Sequence, residues 1–198
     1  MQQRSEETRD QILTAAGQLF CKSGYEAAAV ADICNLAGVS KGAFYHHFPS
    51  KQTLFLAIIE EWLKGIDTQL FTERGKGEKV PQSLTRMAKT LGFVFKAASG
   101  QLPMFLEFMV QASRDKTVWN ATIAPYRRYQ QQFHELIAQG QSEGSIKSEI
   151  NPELASRVLI SLAVGILLQG VVDPEAANWD EVTREGVQMI LNSIQRSN

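Results

Sequence analysis

This sequence lacks cysteine-rich segments, long apolar runs and an apolar N-terminal leader. Its two cysteines, Cys21 and Cys34, fall at apolar positions of predicted helices. Two isolated thiols exclude a disulfide scaffold and favour reduced, buried side chains, with a redox sensor as the alternative. Residues 1–7 contain no apolar run, and a stretch of about 18 apolar residues, as a membrane span requires, occurs nowhere. We therefore expect a cytoplasmic protein that is neither exported nor membrane-spanning.

The motifs of common enzyme chemistry are also missing. The sequence has no phosphate-binding P-loop, no glycine-rich dinucleotide fingerprint and no recognisable nucleophile. His46 and His47 are adjacent and so point about 100° apart on a helix, which prevents them from sharing a metal ion. His134 has no partner at the spacing of metal ligands. We predict no catalytic residue, no metal and no cofactor, so an enzyme is the least favoured class.

Acidic residues are absent from one interval of the chain. The formal net charge is -1, which by itself argues against a nucleic-acid partner. Residues 33–59, however, contain no acid, whereas Lys41, Lys51, His46 and His47 all lie within them. The positive potential is therefore local, as expected for a protein that presents one edge to DNA.

The same interval contains the pattern of a short helix with two distinct faces. Ser40 stands at the N-cap position, and Phe44 and Phe48, four residues apart, share an apolar face. The opposite face presents side chains suited to phosphates and base edges. These residues are Lys41, Gly42 and Tyr45, with Ala43 and His46 at the edges of the face.

A second short helix precedes this one. Apolar residues repeat at helical spacing from Val30 to Ala37, and Gly38 follows as the left-handed residue that closes such a helix. Two short helices joined by a tight turn form a helix-turn-helix, whose second helix normally enters the major groove. Gly42 costs that helix about 1 kcal/mol relative to alanine, which is reasonable where another backbone must come close.

Several segments between residue 8 and about residue 55 match a known pattern. They are Gly24-Tyr25, Val30-Ala31-Asp32-Ile33, the run from Ala37 to Phe48, and Ser50-Lys51 followed by Leu54. Together they resemble the N-terminal domain of a TetR-family transcriptional regulator. The resemblance implies an all-α homodimer with a three-helix helix-turn-helix head and a C-terminal helical ligand-binding and dimerisation domain. We expect the head at residues 1–51, with its motif at about 29–48, and the second domain at residues 52–198.

By position, the resemblance also implies which residues contact DNA. They are Ala29, Ser40, Lys41, Gly42, Ala43, Tyr45, His46, His47 and Lys51. One departure from the family stands at the start of the first motif helix, where members usually carry Thr or Ser and this chain has Ala27-Ala28-Ala29. An alanine N-cap forfeits roughly 1 kcal/mol of helix stability and a hydroxyl donor to phosphate.

The rest of the sequence predicts further helices. Ser5 is the predicted start of the first helix, and Ser50 caps a long fourth one. Residues 73–81 are charged and glycine-rich, so we interpret them as a loop at a domain join, with a second DNA contact as the alternative. Helical spacing returns over residues 82–98, and Pro125 either starts a helix or kinks a longer one.

The C-terminal helices carry an unusual density of aromatic residues and methionines. These side chains form either plain core or the lining of a cavity that admits a flat or apolar small molecule. The candidate ligand-binding residues are Phe93, Phe105, Phe108, Met109, Trp119, Tyr126 and Tyr129. The candidate polar anchors are Glu107, Gln111, Arg127 and Arg128.

The last two predicted helices span residues of about 152–170 and 178–196. Asn151-Pro152-Glu153 is a strong helix start, and the helix that follows is apolar nearly all round. Such a helix must be covered on both sides. We expect this pair to meet its copy as a four-helix bundle, which the family resemblance also implies.

These observations favour a ligand-responsive transcriptional regulator. In this hypothesis a dimeric repressor binds a palindromic DNA operator and is released by a small hydrophobic or aromatic effector. The alternative is a carrier that sequesters a small molecule and has lost DNA binding, which Ala27-Ala28-Ala29 motivates.

Overall fold

Helices make up nearly all of the regular structure in the computed structural model. It describes residues 2–72, 77–98 and 102–196, apart from the side chains of residues 2–3, 69, 72, 91–98 and 102. The helices are α1 (Gln2–Ser23), α2 (Val30–Ala37), α3 (Lys41–His47), α4 (Lys51–Asp67), α5 (Val80–Ala98), α6 (Leu102–Ala112), α7 (Lys116–Ser142), α8 (Pro152–Val172) and α9 (Trp179–Ile194). A π-helical turn, Thr68–Thr72, continues α4. The prediction of an all-α fold is confirmed.

The starts of α1 and α5 differ from the sequence prediction, and the structure also decides the place of Pro125, which the sequence left open. Helix α1 begins at Gln2 rather than at Ser5, because glutamine and arginine favour the helix and nothing interrupts it before Ser5. Helix α5 begins at Val80, since proline at position 81 fits the first turn, where its missing N–H is not needed. Pro125 lies inside α7, which is therefore one long helix. Residues 73–76 of the predicted loop lie outside the described residues.

The chain divides into two compact units. Unit 1 comprises residues 1–65 and 100–123, and unit 2 comprises residues 66–99 and 124–198. Helices α4 and α7 each contribute residues to both units.

The core of unit 1 joins the first four helices to α6. Phe55 and Phe108 stack with ring centroids 4.0 Å apart, and Tyr25 lies edge-on to both rings. These three rings are almost completely buried, as are Phe20 and Phe44. Helix α6 is thus packed into the same core as the first four helices, although 34 residues separate its start from the end of α4.

Unit 2 is organised around α5, which packs against α8 and α9. Most of its buried apolar side chains form one cluster: Leu70, Val80, Leu84, Met87, Ala88, Leu136, Ile137, Ile146, Leu159, Val187, Leu191 and Ile194. An isolated antiparallel bridge between Ile146 and Gln195 ties the end of α9 to the segment between α7 and α8.

Helix α8 is the one helix, among the described residues, that is long and apolar enough to cross a membrane. Its mean hydropathy is 1.9, and 22% of the window concerned is buried. Core helices of globular proteins meet the same criterion, and Leu159, Ile160 and Ile166 are buried in this protein. The opposite face of α8 is exposed in the single chain.

Candidate functional site

The helix-turn-helix is formed by α2 and α3. Gly38 closes α2 with a φ of 67°, and its amide donates to the carbonyl of Asn35, while the amide of Val39 donates to that of Cys34. An L side chain adopts this left-handed conformation only with strain, which explains the glycine. The turn then places Ser40 at the start of α3, as the sequence predicts.

Helix α3 has one buried face and one exposed face. Ser40 caps it, since its Oγ accepts a hydrogen bond from the amide of Ala43 at 3.1 Å. Phe44 and Phe48 are both buried in the core of unit 1, and the guanidinium of Arg9 lies over the Phe48 ring. Burying two phenylalanines on so short a helix fixes which way its other face points.

The exposed face of α3 carries Lys41, Gly42, Tyr45 and His46, with Ala43 and His47 half-buried beside it. Tyr45 is 52% exposed, an unusual environment for a large aromatic side chain. Within the described residues, the side chains of Lys41, Tyr45 and His46 form no hydrogen bond or ion pair, although the Tyr45 ring lies edge-on to Phe44 and the His46 ring edge-on to His47. This face therefore has hydrogen-bonding groups that the described part of the fold does not use.

Gly42 has space for a larger side chain. A Cβ atom built at this position meets only Ser40 Oγ, at 3.7 Å. Internal packing therefore does not require glycine here, although glycine weakens the helix. The packing of the described residues thus gives no reason for glycine at this position.

Ala29 stands at the N-cap of α2 without a side-chain cap. Its φ and ψ of -81° and 146° are those of an N-cap residue, and its carbonyl accepts the amides of Asp32 and Ile33. Because the alanine methyl accepts no hydrogen bond, the first turn of α2 lacks the contact that serine or threonine would supply.

Lys51 is held by the turn between α1 and α2. Its Nζ donates to the carbonyls of Tyr25 and Glu26 at 2.9 and 3.1 Å, and it lies 4.5 Å from the centre of the Tyr25 ring. Burial, with a smaller contribution from the Glu26 charge, raises the pKa of the Tyr25 phenol to about 12, so the ring stays neutral beside the ammonium. The predicted role of Lys51 in phosphate binding thus competes with an internal role that the sequence did not indicate.

Glu107, a predicted polar anchor for a ligand, is also engaged within unit 1. Its two carboxylate oxygens accept the amides of Tyr25 and Glu26 at 3.0 and 2.9 Å. Another predicted anchor, Arg128, donates to Asp67 at 2.9 Å in unit 2. Sequence reasoning missed both partnerships, because the partners are more than 60 residues apart.

The predicted ligand-binding residues are spread over both units. Phe105, Phe108, Met109 and Trp119 belong to unit 1, where Phe108 is buried and stacked on Phe55 as core. Tyr126 and Tyr129 belong to unit 2, and the side chain of Phe93 lies outside the described residues. Tyr129 stacks on Phe71, which in turn lies edge-on to Phe133. Burial and, to a smaller extent, a hydrogen bond to Asp67 raise the pKa of the Tyr129 phenol well above its usual value.

Unit 2 contains a small apolar cavity of about 30 Å³. Its lining consists of Leu84, Met87, Ala88, Phe133, Leu159, Leu162, Ala163, Ile166, Thr183 and Val187. The hydroxyl of Thr183 donates to the carbonyl of Trp179, so no free polar group among these residues points to a polar ligand. The cavity is much smaller than the roughly 300–1,000 Å³ of typical ligand sites.

Comparison with known families matches both ends of the chain. Residues 12–58, which contain α2 and α3, match the model of bacterial regulatory proteins of the tetR family. Residues 85–192 match the C-terminal domain of BetI-type transcriptional repressors.

Individual relatives agree with these matches. The transcriptional regulator UidR of Escherichia coli K12 is 30% identical, over 98% of this chain and 96% of its own length. The transcriptional repressor DhaR of a Mycobacterium species is 23% identical over 94% of both chains. The structure of Salmonella enterica GusR superimposes with a TM-score of 0.74 and 25% identity, covering 93% of this chain and 95% of GusR. The chain therefore belongs to the TetR family of bacterial regulatory proteins, which are ligand-responsive transcription regulators and not enzymes.

Proposed function

We propose that α3 is the recognition helix and that its exposed face contacts an operator in the major groove. The observation that carries this proposal is Gly42, a glycine on an exposed helix face where a Cβ atom would fit. Lys41 and Tyr45 flank it with an ammonium and a phenol that are not used within the described residues. The proposed contacts come from Ser40, Lys41, Gly42, Ala43, Tyr45, His46 and His47, with Ala29 contributing its backbone.

Lys51 is not among these proposed contacts. Two of its three N–H donors are directed at carbonyls of the α1–α2 turn, and its charge lies over the Tyr25 ring. Moving it to a phosphate would leave those carbonyls without their donor, which costs free energy. We therefore assign Lys51 to the turn.

DNA binding is assigned to residues 1–51, and effector binding and dimerisation to residues 52–198.

We propose that α8 and α9 form a homodimer interface. Their exposed apolar residues follow helical spacing, with Leu154, Val158, Leu168 and Val172 on one face of α8. Gly165 lies on the same face, and a Cβ atom built there meets nothing within 4 Å, so a neighbouring helix has room to approach. On α9, Val182 and Met189 are exposed two turns apart. Burying these apolar residues of α8 and α9 against a second copy of the chain is more favourable than leaving them in contact with water.

The effector that we propose is a small hydrophobic or aromatic molecule bound in unit 2. The apolar lining of its cavity and the adjacent ring contacts of Phe71 with Phe133 and Tyr129 support this class of ligand. A cavity of about 30 Å³ holds about two water molecules, so an effector must displace side chains or helices to enter. Met87 and Phe133 line the cavity, and methionine in particular adapts its shape readily.

We propose that the displacement of side chains or helices by an entering effector is what couples effector binding to DNA binding. Helix α4 runs from Lys51, next to the recognition helix, to Asp67 in unit 2. We propose that an effector favours a position of α4 in which the two recognition helices of the dimer no longer match their half-sites. The dimer then acts as a repressor in the cytoplasm and leaves its palindromic operator when the effector binds. The BetI-type C-terminal match and the repressor DhaR support this sign of regulation.

Selection from a random pool of duplex DNA, followed by sequencing, tests this function. We expect the purified protein to recover a pseudo-palindrome whose half-sites lie one helical turn, or a small multiple of a turn, apart. The selection should be repeated at two salt concentrations, because non-specific binding declines steeply with salt. A folded, dimeric protein that recovers no site would favour the alternative, a ligand-sequestering protein, which the uncapped Ala29 motivates.

A further inference from the structure

We propose that Glu107, on α6, is a positioning residue for DNA binding because it fixes the turn that leads into the helix-turn-helix. This inference rests on the proposed function of α3. Glu107 lies far outside the helix-turn-helix in sequence, yet α6 belongs to the same compact unit as α1, α2 and α3. Its role follows from contacts on both sides of that turn.

The amide side of the turn is bound by the Glu107 carboxylate. Oε2 accepts the amide of Tyr25 at 3.0 Å and Oε1 accepts the amide of Glu26 at 2.9 Å. Gly24 has a φ of 84°, and a Cβ atom at this position would stand 2.7 Å from Glu107 Oε2. Any side chain at residue 24 would therefore displace the carboxylate, and the left-handed φ independently favours glycine.

The carbonyl side of the same turn is bound by Lys51. Its ammonium donates to the carbonyls of Tyr25 and Glu26, the two residues whose amides Glu107 accepts. The backbone of Tyr25 and Glu26 is thus held between an anion on α6, which binds its N–H groups, and a cation on α4, which binds its C=O groups. Hydrogen bonds to a charged partner are about twice as strong as neutral ones, so this arrangement restrains the turn firmly.

Packing restrains the turn in the same position. The Tyr25 ring is 4% exposed and lies edge-on to Phe108, the residue that follows Glu107, and to Phe55, one turn after Lys51. Hydrogen bonds and ring contacts therefore join the same two helices to the turn. Within the described residues, neither amide has another acceptor, so losing Glu107 leaves both N–H groups without an acceptor there.

The restraint matters for DNA binding because the turn determines where α2 begins. Three residues, Ala27 to Ala29, separate Glu26 from α2, and the start of α2 has no side-chain cap. Burial of Ala28 and Ile33 in the core of unit 1 restrains α2 by packing, but no side chain caps its first turn. Glu107 adds a hydrogen-bonded restraint from a distant helix, and α3 follows α2 through the tight turn at Gly38.

Substituting Glu107 by glutamine tests this role, with Glu60→Gln as the matched control. Glu60 is exposed on α4, so both variants remove one negative charge from unit 1. Removing an acid strengthens DNA binding through general electrostatics. We expect Glu60→Gln to bind the selected duplex as tightly as the wild type or more tightly, and Glu107→Gln to bind it about tenfold more weakly. The two effects have opposite signs because glutamine presents an NH₂ donor to a backbone N–H.

Two further readouts separate positioning from phosphate contact and from loss of fold. The dependence of affinity on salt should be the same for Glu107→Gln and the wild type, because no phosphate contact is lost. In hydrogen exchange, the amides of Tyr25 and Glu26 should be protected in the wild type and exchange faster in Glu107→Gln. If Glu107→Gln does not fold, Glu107→Asp replaces it, since its charged carboxylate ends one methylene short of the turn.

The outcomes distinguish this inference from the proposed function. If Lys41→Ala and Tyr45→Ala both bind DNA as the wild type does, the assignment of α3 fails. If Lys41→Ala weakens binding and Glu107→Gln does not, α3 is the recognition helix and Glu107 does not position it. Fast exchange of the Tyr25 and Glu26 amides in the wild-type protein would also overturn the inference.

Discussion

The ammonium of Lys51 lies 4.5 Å from the centre of the Tyr25 ring and donates to the Tyr25 carbonyl at 2.9 Å. A lysine at the edge of the proposed DNA-binding surface is thus an internal support of the α1–α2 turn. We predict that Lys51→Met lowers stability by about 1–3 kcal/mol, because a cation–π contact and two hydrogen bonds are lost. Thermal unfolding measures this loss.

The same variant separates the two roles of Lys51. If its charge serves only the turn, the dependence of operator affinity on salt should be the same for Lys51→Met and the wild type. Lys64→Met is the control, because Lys64 lies on the same helix and is exposed beside Glu61. If the salt dependence of operator affinity is instead weaker in Lys51→Met, by the amount expected for about one phosphate contact, then Lys51 binds a phosphate, as the sequence predicts.

The exposed face of α3 predicts the variants that weaken DNA binding directly. We expect Lys41→Ala and Tyr45→Ala each to reduce operator affinity by about 1–3 kcal/mol if they contact bases. Stability should change little, because both side chains are exposed, and the Tyr45 ring contacts only the neighbouring ring of Phe44 among the ring contacts of the described residues. A gel-shift titration measures the affinities. Unchanged affinity for both variants would contradict the assignment of α3.

Gly42 predicts a substitution with opposite effects on stability and on DNA binding. Gly42→Ala should raise the free energy of unfolding by up to about 1 kcal/mol, because alanine favours the helix. The added methyl has room inside the protein, where it meets only Ser40 Oγ at 3.7 Å. It should nevertheless weaken operator binding by obstructing the approach of DNA. The measurements are thermal unfolding and a fluorescence-anisotropy titration.

Gly17→Ala is the control for this prediction. Gly17 lies inside α1, and a Cβ atom there meets nothing within 4 Å, so the variant should gain similar stability. Its operator affinity should be that of the wild type. Equal affinities for both variants would show that Gly42 is not needed for close approach.

The uncapped start of α2 predicts a stabilising substitution. Ala29→Ser should raise the free energy of unfolding by about 0.5–2 kcal/mol, since a hydroxyl at this N-cap can accept an amide of the first turn. It should also tighten operator binding by adding a donor to phosphate. Ala27→Ser, two residues before the cap and equally exposed, should change neither quantity. Identical results for the two variants would rule out a capping effect.

The apolar face of α8 predicts a variant that disrupts the dimer. Val158 is 53% exposed in the single chain, and Val158→Lys should convert the protein into a folded monomer because a charge would be buried at the interface. Light scattering after size-exclusion chromatography measures the mass. Val110→Lys is the control, since Val110 is 59% exposed but lies on α6, outside the proposed interface. A dimeric Val158→Lys protein would place the interface elsewhere.

The features that the sequence predicted correctly depend on neighbours along the chain. The capping of α3 by Ser40 and the left-handed Gly38 involve residues at most four positions apart, and so does the shared face of Phe44 and Phe48. Asn151 at the start of α8 is another such case. The spacing of side chains on a helix and the free amides of its first turn are local properties, so residue order alone reveals them.

Other features required the folded chain. The continuation of α7 through Pro125 was open in the sequence, since a proline can either start or interrupt a helix and packing decides between them. The aromatic residues of α6 and α7 were equally ambiguous. The structure assigns Phe108 to the core of unit 1, because it stacks on Phe55 from another helix.

The sequence by itself determined the helix-turn-helix, the two faces of its second helix and the family to which the chain belongs. Only the tertiary structure decided that Lys51 and Glu107 bind the backbone of the same two residues, Tyr25 and Glu26, because Glu107 lies 82 residues from Tyr25 in sequence. Local rules do not determine such partners. They are set by the packing of α4 and α6 into one core, which depends on the whole of unit 1 at once.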